Sequence, residues 1–400
     1  MNTITTENSL GITFCERLPI AFTHGSGSRV WDESGKEYLD FTSGWGVTCL
    51  GHSHPAMVAT ISRQAGRLMQ SPNAGFTYSP ERAALLKLLQ PLLPGDLSNL
   101  YFCNSGAEAN DAVLKLARKI TGKRRVISTR GSFHGRSFNT LSVTRGPENA
   151  ARFIPALTDT DWVPYGNLEA LVMALSQDTA AVIIEPVQGE GGVQIPDDAY
   201  LSGVQTACKN TGTLLILDEV KTGFCRTGKF FAAQHSATPL YLDMMTMAKG
   251  IAGGFPFAAF AVSKDVNSRL AKDDHGGTYY GNPMGCALSH TVIRFLLENR
   301  IARKVEENGK FLLTSLQALQ LSFPGEIQAI RGKGLLCAIE LTKPEWASRL
   351  THYCAELGLL VVPTRNAIVR LLPDLLVSEA DLQRSLQLLS EGLAVLKRNS

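Results

Sequence analysis

Residues 214–220, Leu-Leu-Ile-Leu-Asp-Glu-Val, decide the fold class of this chain. Four consecutive apolar residues before a carboxylate are typical of a strand buried on both faces, as strands are in a parallel sheet covered by helices. Residues 180–184, Ala-Ala-Val-Ile-Ile, form a second run of this kind. We therefore expect an α/β protein in which Asp218 lies at the carboxyl edge of the sheet, where such sheets bind their ligands.

The segments around these runs predict a large domain. Short β-rich segments alternate with helical patterns from about residue 99 to residue 264, which predicts a mostly parallel sheet flanked by helices. We predict seven strands, at residues 100–103, 125–129, 162–164, 180–185, 214–218, 244–247 and 258–262. Helices are predicted between them at residues 107–120, 168–176 and 199–210. We expect this domain to span residues 51–285.

The last third of the chain has a different pattern. Long amphipathic segments at residues 287–298 and 301–319 precede shorter predicted strands, which lie near residues 334–340, 359–362 and 368–371. This pattern predicts a smaller α+β domain over residues 286–400. We expect the N-terminal segment, residues 1–50, to join that domain through strands around residues 29–41.

Composition narrows the function classes. The chain has 400 residues, of which 44% are hydrophobic and 19% charged, the balance of a well-packed globular protein. With 39 basic and 36 acidic residues and no long run of like charge, it gives no sign of nucleic-acid binding. No apolar stretch approaches the roughly 18 residues that a membrane span needs. Residues 1–18 also lack the apolar core of a secretory signal.

The spacing of the cysteines indicates the cellular compartment of the protein and whether it holds a metal. Eight cysteines are scattered along the chain without a Cys-x-x-Cys pair. This spacing suits reduced thiols better than a disulfide or zinc framework. We therefore expect a cytoplasmic protein without a metal centre.

A lysine at the end of an apolar run is the first candidate for chemistry. Lys249 follows the predicted strand at residues 244–247 and precedes a glycine-rich turn. Burial of a lysine is costly, but it lowers the amine pKa and frees the amine to attack carbonyls, as a Schiff-base lysine does. The alternative is a solvated lysine at a strand end.

An anion site is predicted at residues 103–110, Cys-Asn-Ser-Gly-Ala-Glu-Ala-Asn. Ser105 can cap a helix, and Gly106 lets the first backbone N–H groups approach a phosphate. Alone, the segment could be an ordinary helix cap. An Asp-Glu pair after a buried strand could also belong to a nucleotide hydrolase, but no Gly-x-x-x-x-Gly-Lys-Ser/Thr loop occurs in the chain. A phosphate site, a buried carboxylate and an activated lysine together match the needs of pyridoxal phosphate.

Ordered motifs from about residue 22 to residue 396 make the chain resemble the class III, fold type I pyridoxal phosphate aminotransferases. Within them it is most similar to the acetylornithine and ornithine aminotransferases. The matching segments are Gly51-His52-Ser53-His54-Pro55, residues 105–110, Phe133-His134-Gly135-Arg136, Glu185-Pro186-Val187-Gln188-Gly189-Glu190-Gly191-Gly192, residues 217–220, Ala248-Lys249-Gly250, Thr278, Gly281-Asn282-Pro283 and Ile368-Val369-Arg370. His52 and His54, which could be two metal ligands, belong to a turn motif of the family.

The resemblance implies roles at the cofactor, pyridoxal 5'-phosphate. Lys249 would attach to the aldehyde of the cofactor and then move the substrate proton, and Asp218 would keep the pyridine nitrogen protonated. The other expected cofactor-binding residues are Ser105, Gly106, Ala107, Phe133, His134, Glu185, Val220, Lys221 and Thr278. Phe133 and Val220 would enclose the ring. Thr278 would reach the phosphate of the other subunit, which implies a homodimer with shared sites.

The resemblance also implies how substrates bind. Arg370 would hold the α-carboxylate of glutamate or 2-oxoglutarate, and Arg136 would hold a carboxylate at the other end. Glu190 would pair with Arg370 when a terminal amine is bound and release it for glutamate.

Three positions depart from the family pattern. Lys221 stands where the family has glutamine; its ammonium could hold the ring hydroxyl as a phenolate or turn into solvent. Gly277, near the expected substrate, replaces a hydroxyl residue, and Cys225 replaces glycine. These changes leave the cofactor chemistry intact and bear on the amino donor.

The function expected is ping-pong transfer of an amino group from an ω-amino acid, N-acetylornithine or a related ornithine or lysine derivative, to 2-oxoglutarate. A 4-aminobutyrate or other biosynthetic ω-aminotransferase is the alternative within the class. A catalytically inactive relative that serves as a scaffold is a third possibility.

Overall fold

The structure, a computed structural model, describes residues 2–153, 159–364 and 366–399. Its strands are β1 Phe22–Ser26, β2 Arg29–Asp32, β3 Glu37–Asp40, β4 Leu97–Cys103, β5 Arg125–Thr129, β6 Thr160–Val163, β7 Thr179–Ile184, β8 Leu214–Asp218, β9 Met244–Met247, β10 Ala258–Ser263, β11 Ile327–Lys333, β12 Leu336–Leu341, β13 Leu359–Leu360, β14 Val362–Pro363 and β15 Ile368–Leu371.

The α-helices are α1 Thr3–Leu10, α2 Ser43–Gly46, α3 Pro55–Ala65, α4 Pro80–Leu89, α5 Gly106–Thr121, α6 Phe138–Ser142, α7 Pro147–Ala150, α8 Leu168–Ala174, α9 Tyr200–Thr211, α10 Lys264–Ser268, α11 Pro283–Glu298, α12 Ile301–Ser322, α13 Trp346–Glu356 and α14 Glu379–Arg398. Short 3₁₀ turns lie at Gln90–Leu92, Ala151–Phe153, Ala232–His235 and Lys249–Ala252. Among the described residues, no helix is long and apolar enough to cross a membrane.

A seven-stranded sheet with the order β4-β10-β9-β8-β7-β5-β6 forms the centre of the large domain. All of its strands run parallel except β10, which is antiparallel to both of its neighbours. The predicted fold class, a mostly parallel seven-stranded sheet flanked by helices, is confirmed. β10 runs the other way because only residues 248–257 connect it to β9, and a parallel crossover needs a dozen or more residues.

The register of this sheet brings the candidate residues to one edge. Leu217 pairs with Ile184 on one side and Met245 on the other, and Asp218 pairs with Thr246. β7, β8 and β9 are buried along their whole length, as continuous apolar runs predict. Since parallel strands end at the same edge, the residues that follow them converge there.

Two smaller sheets lie beside the large one. The first has the order β11-β12-β15-β14, and the second has the order β1-β2-β3-β13. β13 pairs in parallel with β3, so the N-terminal strands join a C-terminal strand in one sheet. The domain limits at residues 50 and 285 remain a prediction. β11, Ile-Gln-Ala-Ile-Arg-Gly-Lys, was not predicted because it is mostly half-exposed and lacks a clear apolar alternation.

One close contact in the smaller domain is testable. A β-carbon at Gly309 of α12 would lie 2.5 Å from the carbonyl carbon and oxygen of Gly334, in the turn between β11 and β12. We expect Gly309→Ala to lower the free energy of unfolding by about 2 kcal/mol, because the backbone must shift to admit the methyl group. Gly325→Ala is the matched control, since nothing lies within 4 Å of its β-carbon position. Urea unfolding of both variants checks this, and equal midpoints would contradict the packing described.

Candidate active site

A cavity of about 460 Å³ opens at the carboxyl edge of the large sheet. It is bounded by the end of β9, the start of α5 and the loops that follow β5 and β8. Its lining residues are Val47, Asn104, Ser105, Gly106, Ala107, Asn110, Phe133, His134, Gly135, Arg136, Val220, Ala248, Lys249, Gly254, Phe255, Pro256 and Phe257. The structure therefore brings Lys249, the start of α5, Phe133, His134, Arg136 and Val220 to one cavity.

Lys249 lies on the wall of this cavity, at the first residue of the 3₁₀ turn after β9. Its φ of 48° is in the left-handed region, which a non-glycine residue adopts at a cost of about 1 kcal/mol or more. Burial lowers the pKa of its amine, although Asp218, Glu190 and Glu185 oppose that shift. An amine with a lowered pKa suits both attack on a carbonyl and proton transfer.

Asp218 is a buried carboxylate with three donors. Asp218 Oδ2 accepts hydrogen bonds from His134 Nδ1 and Asn110 Nδ2, each at 2.7 Å, and Oδ1 accepts one from the Val220 N–H at 2.9 Å. Burial alone would raise the pKa of Asp218, but the hydrogen bonds outweigh it and hold the pKa below its usual value. Asp218 therefore stays ionised, and His134 must carry its proton on Nδ1, because an ionised carboxylate only accepts.

The N-terminus of α5 forms the other end of the cavity. Ser105 Oγ accepts the Glu108 N–H at 3.1 Å, so Ser105 caps the helix as its sequence position indicates. The first N–H groups of a helix have no partner within the helix and attract anions. A β-carbon at Gly106 would lie 2.8 Å from Val220 Cγ1, so only glycine allows this close approach of the helix to β8.

Glu185 supports the part of the cavity wall that Phe133 forms. Its Oε1 accepts the Phe133 N–H at 2.9 Å and its Oε2 accepts the Gly189 N–H at 3.1 Å. Burial raises the pKa of Glu185 to about 7, against the attraction of His134. Glu185 is not a lining residue of the cavity; it fixes the backbone that carries the Phe133 ring.

A buried array of three charged groups lies between the two domains. Glu190 Oε1 accepts hydrogen bonds from Arg370 Nη1 at 2.6 Å and from Lys221 Nζ at 2.9 Å. The exposed fractions of the Arg370, Lys221 and Glu190 side chains are 0%, 6% and 15%. Arg370 Nε and Nη2 are buried without a partner among the described residues. Unused donors on a buried guanidinium can receive a carboxylate in two-point fashion.

A second cavity of about 480 Å³ has Glu190 in its lining. Trp45 and Arg145 line it, and the Trp45 ring lies 5.6 Å from the Arg370 guanidinium. The guanidinium groups of Arg145 and Arg136 lie 5.6 and 5.9 Å from the centre of the Phe133 ring. Arg136 itself is exposed, so it can meet a ligand that enters from solvent.

Two expected site residues lie apart from the cavity of their own chain. Gly277 and Thr278 are exposed, and the Thr278 carbonyl accepts a hydrogen bond from Gln70 Nε2 at 2.5 Å. The β-carbon position of Gly277 is 3.8 Å from Glu108 Oε1. Neither residue lines the cavity described above.

Several residues of the site were missed in the sequence. Asn110 Oδ1 accepts from Thr246 Oγ1 at 2.7 Å, so β9 and α5 together orient the amide that holds Asp218. A lone threonine in an otherwise apolar buried strand was a signal for Thr246. Trp45 and Arg145 gave no such signal. Both line the second cavity from backbone with positive φ, which the sequence does not indicate at a residue other than glycine.

The residues present fit pyridoxal phosphate. The N-terminus of α5 suits its phosphate, the ionised Asp218 suits its pyridine nitrogen, and Lys249 suits its aldehyde. The close contact of Gly106 with Val220 holds the start of α5 next to the turn that follows Asp218.

Comparison with known proteins agrees with this geometry. The family model for the class III aminotransferases matches residues 15–393. The chain belongs to the class III aminotransferases. This aminotransferase is a pyridoxal phosphate enzyme, as the family is, and the predicted enzyme class and cofactor are confirmed.

Individual relatives carry related names. The aminotransferase is 37% identical over 377 residues to the acetylornithine aminotransferase of Methanopyrus kandleri, covering 94% of this chain and 95% of the relative. It is 38% identical to the [LysW]-aminoadipate semialdehyde transaminase of Deinococcus radiodurans, covering 91% and 84%. Its fold is similar to that of the ornithine aminotransferase from Toxoplasma gondii, with a TM-score of 0.92, 28% identity and coverage of 99% and 95%.

The position of Lys249 on the cavity wall leads to a prediction about the activity of the aminotransferase. We expect Lys249→Ala to lower the rate of amino transfer by about 10²–10⁴-fold or more, because the proton-transfer group is lost. The variant should also release pyridoxal phosphate on dialysis, while the wild type retains it. Absorption spectra after dialysis and steady-state rates measure both effects. Lys264→Ala, at an exposed lysine that begins α10, is the control. A Lys249→Ala enzyme with normal rates would contradict this assignment.

Proposed function

We propose that this enzyme transfers the terminal amino group of N-acetylornithine, or of a related ornithine or lysine derivative, to 2-oxoglutarate. The observation that carries the proposal is the buried pair of Arg370 and Glu190 next to the cofactor cavity. A buried arginine with two unused nitrogens serves a carboxylate ligand. Glu190 is already bonded to Arg370, so Arg370 keeps an ionic partner when the amino donor brings no carboxylate to that position.

Arg370 and Arg136 are the two cations that suit a dicarboxylate acceptor. Arg370 is fixed on β15, in the middle of a sheet of the smaller domain, whereas Arg136 is exposed at the cavity. We propose that the α-carboxylate of the acceptor binds Arg370 and its second carboxylate binds Arg136. For the donor, Arg136 would take the single carboxylate and Glu190 would keep Arg370 neutralised.

The chain's own groups then account for the proton transfer. Pyridoxal phosphate, when bound, supplies the aldehyde that receives the amino group and a ring that accepts the electrons of the substrate C–H bond. Lys249 Nζ would take the proton from the substrate carbon and deliver it to the carbon of the former aldehyde, a role that suits an amine whose pKa is lowered by burial. Asp218 Oδ1 and Oδ2 remain charged and favour a protonated pyridine nitrogen.

Glu190 can act as the exchangeable partner because it stays ionised. Burial would raise its pKa, but Lys221 and Arg370 lower it well below the usual range. Glu190 is therefore a full negative charge at neutral pH, and Arg370 Nη1 is free only when Glu190 moves or another anion replaces it. Acetylornithine and ornithine aminotransferases among the relatives and solved structures support this choice of substrates.

A panel of donors tests the proposal. We expect N-acetylornithine with 2-oxoglutarate to give the highest kcat/KM, with ornithine, N-acetyllysine and 4-aminobutyrate below it. The first half-reaction, followed by the visible absorption of the bound cofactor, reports each donor without an acceptor. Rapid reaction of 4-aminobutyrate with failure of both ornithine compounds would overturn the proposed donor. A protein that binds no pyridoxal phosphate would instead support a scaffold role.

We also propose that the enzyme is a homodimer with shared sites. The largest exposed apolar side chains near Thr278 are Met69, Phe76, Tyr78 and Tyr279, with exposed fractions of 58%, 93%, 100% and 65%. The Gln70 bond to the Thr278 carbonyl joins the two segments that carry them into one surface. A second copy of the chain is the occupant that suits this surface, because Thr278 would then lie near a partner's cofactor.

Disruption of that surface should separate the subunits. We expect Phe76→Glu with Tyr78→Glu to convert dimers to monomers, because four charges would be buried at a symmetric interface. Light scattering gives the mass, and activity should fall together with it. Met173→Glu, at an 80% exposed methionine on α8, is the control. A dimeric double variant would contradict the proposed interface.

We propose the cytoplasm as the location. All eight cysteines are unpaired, and seven of them are buried. Unpaired cysteines in this number suit a reducing compartment.

A further inference from the structure

Lys221 donates to the same oxygen of Glu190 that Arg370 uses. Glu190 Oε1 is 2.9 Å from Lys221 Nζ and 2.6 Å from Arg370 Nη1. Two cations therefore donate to the same oxygen of one carboxylate. All three side chains are at most 15% exposed. The glutamate has a second cationic partner in place before any ligand arrives.

The lysine stem is held in this position by its surroundings. A β-carbon at Gly189 would lie 2.2 Å from Lys221 Cδ, so the stem passes directly over the backbone next to Glu190. The Gly189 N–H is itself bonded to Glu185 Oε2 at 3.1 Å. Lys221 follows β8 closely, and the loop that carries Glu190 is closed by a bridge between Gln188 and Gln194. The ammonium is thus directed at Glu190 and not into solvent.

Release of Arg370 has a cost that this arrangement reduces. When a carboxylate ligand takes Arg370 Nη1 as well as its two unused nitrogens, Glu190 loses one of its two partners. A buried charge that loses its only partner is strongly destabilised. With Lys221 in place, Glu190 keeps a charged hydrogen bond throughout.

We propose that Lys221 is a positioning residue that holds Glu190 while Arg370 binds the carboxylate of the amino acceptor. This inference rests on the proposed function, since it requires a dicarboxylate acceptor. It gives a use to the lysine that stands where the family has glutamine. It also separates two roles of the site: the acceptor half-reaction needs Lys221, and the donor half-reaction, in which Glu190 and Arg370 stay paired, does not.

The test compares ligand binding with the two half-reactions in the loaded enzyme. Glutarate, a dicarboxylate with neither amine nor ketone, measures acceptor binding by calorimetry without turnover. We expect Lys221→Met to weaken glutarate binding by about 10–100-fold and to slow the reaction with L-glutamate similarly. The half-reaction with N-acetylornithine should slow far less than the reaction with L-glutamate. Lys221→Gln should lie between the two enzymes, because it keeps a donor without the charge.

Two further variants make the result specific. In a Glu190→Gln background, Lys221→Met should no longer change glutarate affinity, because the lysine acts through Glu190. Lys310→Met, at an exposed lysine on α12, controls for loss of a positive charge. Equal losses in both half-reactions would overturn the proposal and assign Lys221 to the cofactor.

The outcomes of these measurements also distinguish a failure of this inference from a failure of the proposed function. If N-acetylornithine fails to react while glutarate binds the wild type, only the donor is wrong. If glutarate does not bind the wild type, the dicarboxylate acceptor and the role of Lys221 are both wrong. Unchanged glutarate binding in Lys221→Met overturns the role of Lys221 alone.

Discussion

A charged carboxylate buried at the carboxyl edge of a sheet needs hydrogen-bond donors, and Asp218 obtains them from three separate elements. His134 comes from the loop after β5, Asn110 from α5 and the Val220 N–H from the turn after β8. Each donor is itself held: Asn110 is bonded to Thr246 on β9 and to the His134 carbonyl. Asp218 therefore ties together the parts of the large domain that surround the cavity, and the proposed cofactor chemistry depends on its charge.

The second constraint lies between the domains, where Glu190 balances Arg370 and Lys221. Such an array is costly to bury and is retained when its parts must exchange partners. Arg370 stands on β15, and Glu190 stands on a loop after β7. In the proposed function, Arg370 is therefore the fixed partner and the Glu190 side chain is the one that exchanges partners.

The fold was largely predictable because its strands are continuous apolar runs. β5, β8 and β9 were predicted with the bounds observed, since their sequences differ sharply from the helices between them. β11 was not predicted because it is half-exposed, and the helices α13 and α14 also lie outside the predicted elements. The reversed direction of β10 follows from its short connection to β9, which is visible only once the pairing is known.

The sequence alone determined the enzyme class and the cofactor of this protein. It also predicted that Lys249, Asp218 and the Ser105-Gly106-Ala107 helix start lie at one edge, because they stand after or beside buried strands and parallel strands end together. It also supplied Arg370 and Glu190 through the family resemblance. Only the tertiary structure decided the partner of Lys221, because the two sequence alternatives, the cofactor hydroxyl and solvent, did not include Glu190, which lies 31 residues earlier in the chain. Contacts of that kind depend on how loops from different strands pack, and local sequence patterns do not record them.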